Sequence, residues 1–326
     1  KRNCFNDIVA LLALFRPGPM DSINTYAKRK EGKEKIIYDD PCLEPILKET
    51  YGIIVYQEQV NMIATTMAGF SMGEADMFRR AISKKDIDKL LESEKAFIEG
   101  SIKQGHNEKT AKKVFDFIKK FANYGFNKSH SVAYSVIACQ MAYLKYYYPL
   151  EFYAAILETS SSTSDTKFNE YVSEMKQRNI AIISPNINKS AKDFVVQKEG
   201  LLFPLSAIKG INELFVNAIL EERNNNGEYK DFFDFVGRMY RYKINEAQIN
   251  KLIDAGCFDT FNPSRASFRA SIRSALQYSE LVFKENGQLN IGFSDLITPY
   301  LIEDHDDPLE NLDKEYDVLG IMLSNN

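Results

Sequence analysis

The chain of 326 residues is longer than one ordinary domain, so two or three domains are expected. Its longest apolar runs are far shorter than the ~20 residues of a membrane span, so the sequence contains no transmembrane segment, and no secretory segment appears either. The net charge of −4 hides an asymmetry: residues 1–150 carry 23 basic and 18 acidic side chains, so the first half is the better partner for phosphates.

Helices are predicted to dominate the first 160 residues, because apolar side chains recur there every three to four positions. Ser71 and Glu74 are spaced as a capping box. Asn107 is placed as an N-cap and Gly125 as a C-cap glycine. The predicted helices are Ile8 to Phe15, Gln57 to Phe70, Ser71 to Ile82, Asp86 to Gln104, Asn107 to Ala122, Val132 to Tyr147 and Glu151 to Glu158.

The second half is predicted to be more mixed. Residues 160–166, "SSSTSDT", read as a linker. Eight acidic residues between Glu303 and Asp317 are interpreted as a solvated face or linker. The predicted elements are a helix from Lys167 to Arg178, short β runs at Ile180 to Ser184, Phe194 to Gln197 and Leu201 to Pro204, a helix-hairpin-helix from Leu205 to Gly227, and a helix from Ser264 to Phe283.

A polar loop precedes the helix predicted from Val132. It contains Asn127, Lys128, Ser129, His130 and Ser131. Free backbone N–H groups and the helix dipole favour an anion at such a position, so the loop predicts a phosphate site. A well-capped helix start with a solvent-facing lysine is an equal alternative. A Ser/His hydrolase is disfavoured, because adjacent residues are poorly placed to act as nucleophile and base.

Further basic residues strengthen the phosphate hypothesis. Arg16 lies in a rigid turn beside two prolines, and Arg79, Arg80, Lys84 and Lys85 lie near a helix end. The charges of a triphosphate must be matched by guanidinium and ammonium groups in a partly dehydrated site. A solvated basic face is the alternative for the second cluster alone.

The hairpin of "AIKGINEL" is a candidate for binding the DNA backbone. Backbone N–H groups around Gly210 and Ile211 can point at a phosphate without reading sequence, and Lys209 adds charge. Asn212 stands in for a second hairpin glycine and tolerates a left-handed conformation. A plain packing unit is the alternative, and a weaker copy around Ala255 and Gly256 is interpreted as structural.

Cysteines and histidines are too scattered to predict a metal site or a disulfide framework, so a reducing cytoplasm is the expected location. They are Cys4, Cys42, Cys139, Cys257, His106, His130 and His305.

Four segments together resemble a known family: "CFNDIVALLALFRPGPM", "TYGIIVYQEQV", "ADMFRRAISKK" and "FANYGFNKSHSVAYSVIACQMAYLKYYYPLEF". They are similar to bacterial C-family replicative DNA polymerases, the α subunit of DNA polymerase III of the DnaE type. The similarity is dense over about the first 160 residues and looser beyond them. The absence of an initiating Met and of a closing structural signal indicates an excerpt of a longer chain.

The resemblance implies a mainly α, multi-domain fold: helical fingers, then a small α+β segment and a tandem helix-hairpin-helix module. The implied domains are 1–14 as the end of the palm, 15–160 as fingers, 161–204 as linker and small α+β segment, 205–285 as helix-hairpin-helix region, and 286–326 as clamp-binding motif and acidic segment before a missing C-terminal domain.

The resemblance also implies nucleotidyl transfer from a deoxynucleoside triphosphate (dNTP) to a primer 3′-hydroxyl, with two Mg²⁺ ions held by palm carboxylates. Asp7 matches the third palm aspartate and is the single implied catalytic and metal residue, whereas the paired aspartates of the family have no counterpart here. Its alternative role is to N-cap the first helix. The chain alone is therefore expected to extend no primer.

Residues 288–293, "QLNIGF", resemble the peptide by which bacterial polymerases bind the sliding clamp. Gln288 would form hydrogen bonds at the rim, while Leu289, Ile291 and Phe293 fill an apolar pocket. The implied partners are primer-template DNA, dNTP, the sliding clamp (β subunit) and other replisome subunits. A non-catalytic nucleic-acid-binding scaffold remains the alternative function.

Overall fold

The computed structural model describes residues 4–83, 87–122, 125–159, 166–282 and 298–324. The chain forms two compact units, Lys1–Ala142 and Tyr143–Asn326, and the division falls within one long helix, α8. Each unit has its own buried core.

The first unit is helical. A cluster of phenylalanines that includes the fully buried Phe97 and Phe115 holds α4 to α7 together, and a second core joins α1 to Tyr26 and residues 53–56. Its helices are α1 (Phe5–Leu14), α2 (Ser22–Lys30), α3 (Glu44–Leu47), α4 (Gln57–Ala68), α5 (Met72–Ser83), α6 (Ile87–Lys103), α7 (Glu108–Ala122) and α8 (Lys128–Tyr147), which continues into the second unit.

A short parallel bridge positions the start of α8. The Phe126 N–H donates to the Val55 carbonyl at 3.1 Å, and the Gln57 N–H donates to the Phe126 carbonyl at 2.9 Å. The segment before α8 is therefore held beside the first turn of α4.

The second unit adds a three-stranded sheet to helices. The strand order is β1-β3-β2, with β1 parallel and β2 antiparallel to β3. Its core includes the fully buried Phe232, Phe258 and Phe268. The elements are α9 (Pro149–Glu158), α10 (Thr166–Gln177), β1 (Ala181–Ile183), β2 (Val195–Gln197), β3 (Gly200–Leu202), α11 (Glu213–Asn226), α12 (Phe232–Tyr240), α13 (Glu246–Asp254), α14 (Arg265–Val282) and α15 (Pro308–Leu319).

The acidic stretch is a solvated face for seven of its eight acidic residues, which are exposed, and the exception is Glu315. The linker alternative is wrong from Pro308 on, where the chain forms α15, and Val318 and Leu319 enter the core of the second unit. Glu315 is fully buried against Arg265, and Asp307 caps α15. A count of charges could not show this, because Glu315 and Asp307 accept hydrogen bonds from donors within the chain itself.

Three local predictions also need correction. α8 begins at Lys128, four residues before the predicted start, because Asn127 already caps it. Gly125 is not a C-cap: α7 ends at Ala122, Gly125 has no left-handed backbone, and it packs against Gln57. Asp7 is not an N-cap, because α1 begins at Phe5 and Asp7 is its third residue.

The mainly α fold with a small α+β segment is confirmed. The capping box is confirmed as well, since the Ser71 N–H and hydroxyl donate to Glu74 at 2.8 and 2.7 Å. Among the described helices, none has the length and apolar content to cross a membrane. The domain boundaries proposed from the sequence stay predictions.

Candidate functional site

A carboxylate lies at the N-terminus of α8, where the sequence predicts an anion. Asn127 caps the helix by accepting the His130 N–H at 2.8 Å, and its own amide donates to Glu58 at 2.9 Å. The Lys128 N–H donates to both oxygens of Glu58, at 3.0 and 3.1 Å. The first turn of α8 therefore binds an anion that the chain itself supplies.

The Lys128 ammonium is matched in the same way. Its Nζ donates to both oxygens of Glu49 at 2.7 and 2.8 Å and lies 5.4 Å from the centre of the Tyr56 ring. Both side chains of this ion pair remain well exposed, at 40% and 37%. An ion pair so open to water contributes little to stability, so another anion can replace Glu49 at small cost.

Arg16 lies next to this group. Its guanidinium carbon is 4.5 Å from the centre of the Phe126 ring, and its Nε donates to the Ala13 carbonyl at 2.9 Å. Burial lowers the pKa of Arg16, but the guanidinium still carries its charge at neutral pH. The bridge at Phe126 thus gathers Arg16, Asn127 and Lys128 into one group, which we call the α8 anion site together with Glu49 and Glu58.

The two serines of this segment differ in environment. Ser129 is exposed, whereas Ser131 is buried and donates its hydroxyl to the Val9 carbonyl at 2.7 Å. His130 lies between the rings of Phe126 and Tyr134, edge-on to the first and tilted against the second, with centroids 5.4 and 4.5 Å away. No hydrogen bond in the described part of the chain joins a serine hydroxyl to His130, so the geometry gives no support to a hydrolase.

Asp7 is a buried carboxylate with neighbours of its own. It accepts the Cys4 N–H at 3.3 Å and the Tyr26 hydroxyl at 3.2 Å, and it forms an ion pair with Lys30. Burial and the nearby Asp7 charge raise the pKa of Tyr26, and the hydrogen bond to Asp7 raises the pKa of Lys30. Asp7, Tyr26 and Lys30 line a cleft of about 330 Å³ with α1 and α2 side chains.

The surroundings of Asp7 do not fit two metal ions. Two Mg²⁺ ions require several oxygen ligands, and each oxygen of Asp7 already accepts from a protein donor. In the described ranges, Asp7 belongs to no cluster of three potential metal ligands. The arrangement around Asp7 therefore supports no metal-dependent reaction step within this chain.

Arg79 and Arg80 lie on a different part of the first unit. Both pair with Asp76 of the preceding turn of α5, at 2.7 and 2.8 Å. The α5 helix packs on the phenylalanine core rather than on the core that carries α1. Lys84 and Lys85 lie outside the described residues.

The first hairpin is formed, but one of its residues differs from the prediction. Gly210 has a left-handed φ of 89°, while Asn212 is extended at φ −85° because its side chain caps α11 by accepting the Phe215 N–H. The Lys209 N–H donates to the Val318 carbonyl at 2.9 Å, so this amide is not available to a phosphate. The Gly210 N–H has no hydrogen-bond partner among the described residues.

The hairpin surface carries more charge than the sequence suggested. Lys209, Gly210 and Asn212 are exposed, and the buried Ile211 anchors the turn. The methylene chain of Lys251, from α13, lies 3.5 to 3.7 Å from the position that a Cβ on Gly210 would take. At the second copy, a Cβ on Gly256 would meet the Arg265 guanidinium at 2.4 Å, as expected for a packing turn.

Sequence reasoning missed several residues of these groups: Glu49, Glu58, Tyr26, Lys30 and Lys251. No local pattern marks them, because each meets its partner only through the fold. The proposed clamp residues Gln288, Leu289, Ile291 and Phe293 lie outside the described residues.

Comparison with known proteins shows what the chain is similar to. Residues 1–105 match the family model described as the bacterial DNA polymerase III alpha subunit finger domain, and residues 179–268 match the one described as a helix-hairpin-helix motif. DNA polymerase III subunit alpha of Bacillus subtilis is 42% identical over 328 residues, which cover all of this chain and 29% of the relative. Over its whole length the chain is similar to a part of the DNA polymerase III α subunits.

Two further α subunits give the same picture. That of Halalkalibacterium halodurans is 42% identical over 99% of this chain, and that of Thermus aquaticus is 40% identical over 98%. The chain spans 29% and 26% of the lengths of these two α subunits. The finger-domain match includes Arg16, Glu49 and Glu58 of the α8 anion site and ends before Asn127 and Lys128, whereas the helix-hairpin-helix match includes the hairpin at Gly210.

Proposed function

We propose that this chain is the nucleotide- and DNA-binding part of a template-directed DNA polymerase, which transfers nucleotides from dNTP to a primer 3′-hydroxyl. The observation that carries the proposal is the α8 anion site, where an ammonium, a guanidinium and a capped helix start converge. Kinship with DNA polymerase III α subunits over nearly the whole chain supports it.

The triphosphate is proposed to replace the two carboxylates. Phosphate oxygens would accept the Lys128 N–H and the Asn127 amide in place of Glu58, and the Lys128 ammonium in place of Glu49. Charge-assisted hydrogen bonds of this kind are about twice as strong as neutral ones. Because Glu49 and Glu58 already hold these donors in position, little reorganisation is needed when the nucleotide arrives.

The chemical step itself belongs to the complete polymerase. Mg²⁺ would supply charge neutralisation at the phosphates. Asp7 is proposed as one carboxylate of that site only in the complete polymerase with the other palm ligands present, where it would have to exchange its contacts with Cys4, Tyr26 and Lys30 for the ion. Arg79 and Arg80, together with Lys84 and Lys85, are proposed to contact either the triphosphate or the template. On this proposal the chain alone extends no primer.

A titration distinguishes the polymerase proposal from a nucleic-acid-binding scaffold. We expect the chain to bind dNTP and to bind inorganic triphosphate at the same site, because the α8 anion site recognises phosphates. The matching deoxynucleoside, which has no phosphate, should not bind. Binding of duplex DNA with no response to either triphosphate, measured by calorimetry, would favour the scaffold.

The hairpin is proposed to bind the backbone of duplex DNA through the exposed Gly210 N–H, Lys209 and Lys251. Removing both ammonium groups (Lys209→Ala with Lys251→Ala) should weaken binding of every duplex sequence equally. The logarithm of the binding constant falls linearly with the logarithm of the salt concentration, and the magnitude of this slope should decrease by about 0.9 for each phosphate that the protein no longer neutralises. Fluorescence anisotropy at several salt concentrations measures this slope.

The control is Lys198→Ala, which removes an exposed lysine from the β2–β3 turn. An unchanged slope in the double variant would mean that the hairpin serves packing alone.

The remaining partners stay predictions from the sequence. They are the sliding clamp (β subunit), bound through residues 288–293, and other replisome subunits. A cytoplasmic location follows from the proposed role in replication.

A further inference from the structure

Three side chains that are far apart in the sequence converge at the edge of the phenylalanine core of the first unit. The Nδ1 atom of His106 lies 2.8 Å from Oδ2 of Asp40, and the Cys42 N–H donates to Oδ1 of Asp40 at 2.9 Å. One potential ligand atom from each of the three residues lies within 4.8 Å of the other two. The sequence predicted no metal site because these residues follow no recognised spacing.

Each residue is held by the fold. Asp40 caps a short 3₁₀ turn, Pro41–Leu43, whose Leu43 is buried in the core. His106 follows α6 through Gly105, which has a left-handed φ of 90°, and the His106 N–H donates to the Ser101 carbonyl at 3.0 Å. The three groups are therefore positioned by two separate backbone turns rather than by one flexible loop.

We propose that Asp40, Cys42 and His106 bind a divalent cation of the Zn²⁺ class. A thiolate, an imidazole and a carboxylate form a ligand set that suits Zn²⁺ and Co²⁺ and is too soft for Mg²⁺ or Ca²⁺. With Cys42 ionised, the two negative charges neutralise the ion. Asp40 and His106 retain some exposure, at 13% and 19%, which leaves room for water as a fourth ligand.

The metal would take the place of the thiol proton. A thiol that coordinates a divalent ion is deprotonated, so Cys42 would release its proton when the ion binds. The ion would tie the turn at Asp40 to the α6–α7 connection, 66 residues away in the sequence.

The test is a titration of the chain with Co²⁺ after treatment with a chelator. We expect one equivalent to bind, with a thiolate-to-metal charge-transfer band in the near ultraviolet and the visible bands of a four-coordinate ion, and we expect Zn²⁺ to abolish both. Cys42→Ser should remove the charge-transfer band. His106→Gln should weaken affinity by at least about 10-fold, since even outer-shell partners contribute that much.

Cys139→Ser is the matched control, because Cys139 is a half-buried free cysteine on α8; its band should equal that of the wild type. Zn²⁺ should also raise the Tm of the wild type and of Cys139→Ser but not of Cys42→Ser, since a ligand bound by the native state stabilises it. Absence of the band in the wild type, or its persistence in Cys42→Ser, would overturn the proposal.

Discussion

Replacing Glu315 with alanine is expected to lower the free energy of unfolding by about 3–5 kcal/mol, because it breaks a buried ion pair, leaves Arg265 with only the more exposed Asp259 as its carboxylate partner, and leaves the Leu323 and Ser324 N–H groups without their acceptor. Glu315 is fully buried and accepts a hydrogen bond from Arg265 at 2.9 Å. It also accepts the Ser324 N–H at 2.9 Å, and the Leu323 N–H donates to it as well. Urea unfolding measures the loss.

The control for this variant is Glu310→Ala. Glu310 lies on the same helix, but it is exposed, and its ion-pair partner among the described residues is Lys314 of the next turn, so its removal should change stability by less than about 0.5 kcal/mol. If the two variants lose similar stability, Glu315 does not anchor α15 to α14.

The same pair predicts a pH dependence. Burial alone would raise the pKa of Glu315, but donors from Ser324, the Leu323 N–H and Arg265 outweigh it, so its pKa lies below the ordinary value. The stabilisation is complete above the unfolded-state pKa of about 4.3 and is lost as the pH falls through the lower native pKa. The difference between wild type and Glu315→Ala should therefore shrink below about pH 4.

These residues also show what the sequence could and could not predict. The capping box of Ser71 and Glu74 and the N-cap at Asn107 depend on neighbours within three residues, so spacing alone identified them. The partners Glu315 and Arg265 are 50 residues apart, and Asn127 and Glu58 are 69 apart. A count of charges treats all acidic residues alike. The fold, however, buries Glu315, places Glu58 at the start of α8 and leaves Glu310 exposed to water.

The same limit applies to the candidate site. Lys128 could be proposed because basic and polar residues cluster around it, and the resemblance to a polymerase family gave the cluster a role. Glu49 lies in a short 3₁₀ turn after α3 and Glu58 is the second residue of α4, and no sequence pattern marks either position. Only the bridge between residues 55–57 and 125–127 shows that they occupy the place of the expected anion.

Replacing Lys128 with alanine in the complete polymerase is expected to reduce kcat/KM for nucleotide about 10- to 100-fold. The reason is the loss of a charge-assisted hydrogen bond to phosphate, which contributes about 1.5–3 kcal/mol. Affinity for primer-template should change little. Lys113→Ala is the matched control, since Lys113 is also an exposed lysine paired with an acidic residue, Asp39 of the same unit. Steady-state incorporation kinetics and a separate DNA-binding titration give the two readouts.

The reciprocal variants test whether the two carboxylates hold the place of the triphosphate. Glu49→Gln frees the Lys128 ammonium, and Glu58→Gln removes the negative charge at the start of α8 while keeping an oxygen that can accept the Lys128 N–H. Both should therefore tighten triphosphate binding, in the direction opposite to Lys128→Ala. If Glu58→Gln lowers the Tm and leaves nucleotide affinity unchanged, Glu58 is a helix cap and the triphosphate binds elsewhere. If Lys128→Ala also leaves nucleotide kinetics unchanged, the polar segment at residues 127–131 does no more than begin a helix.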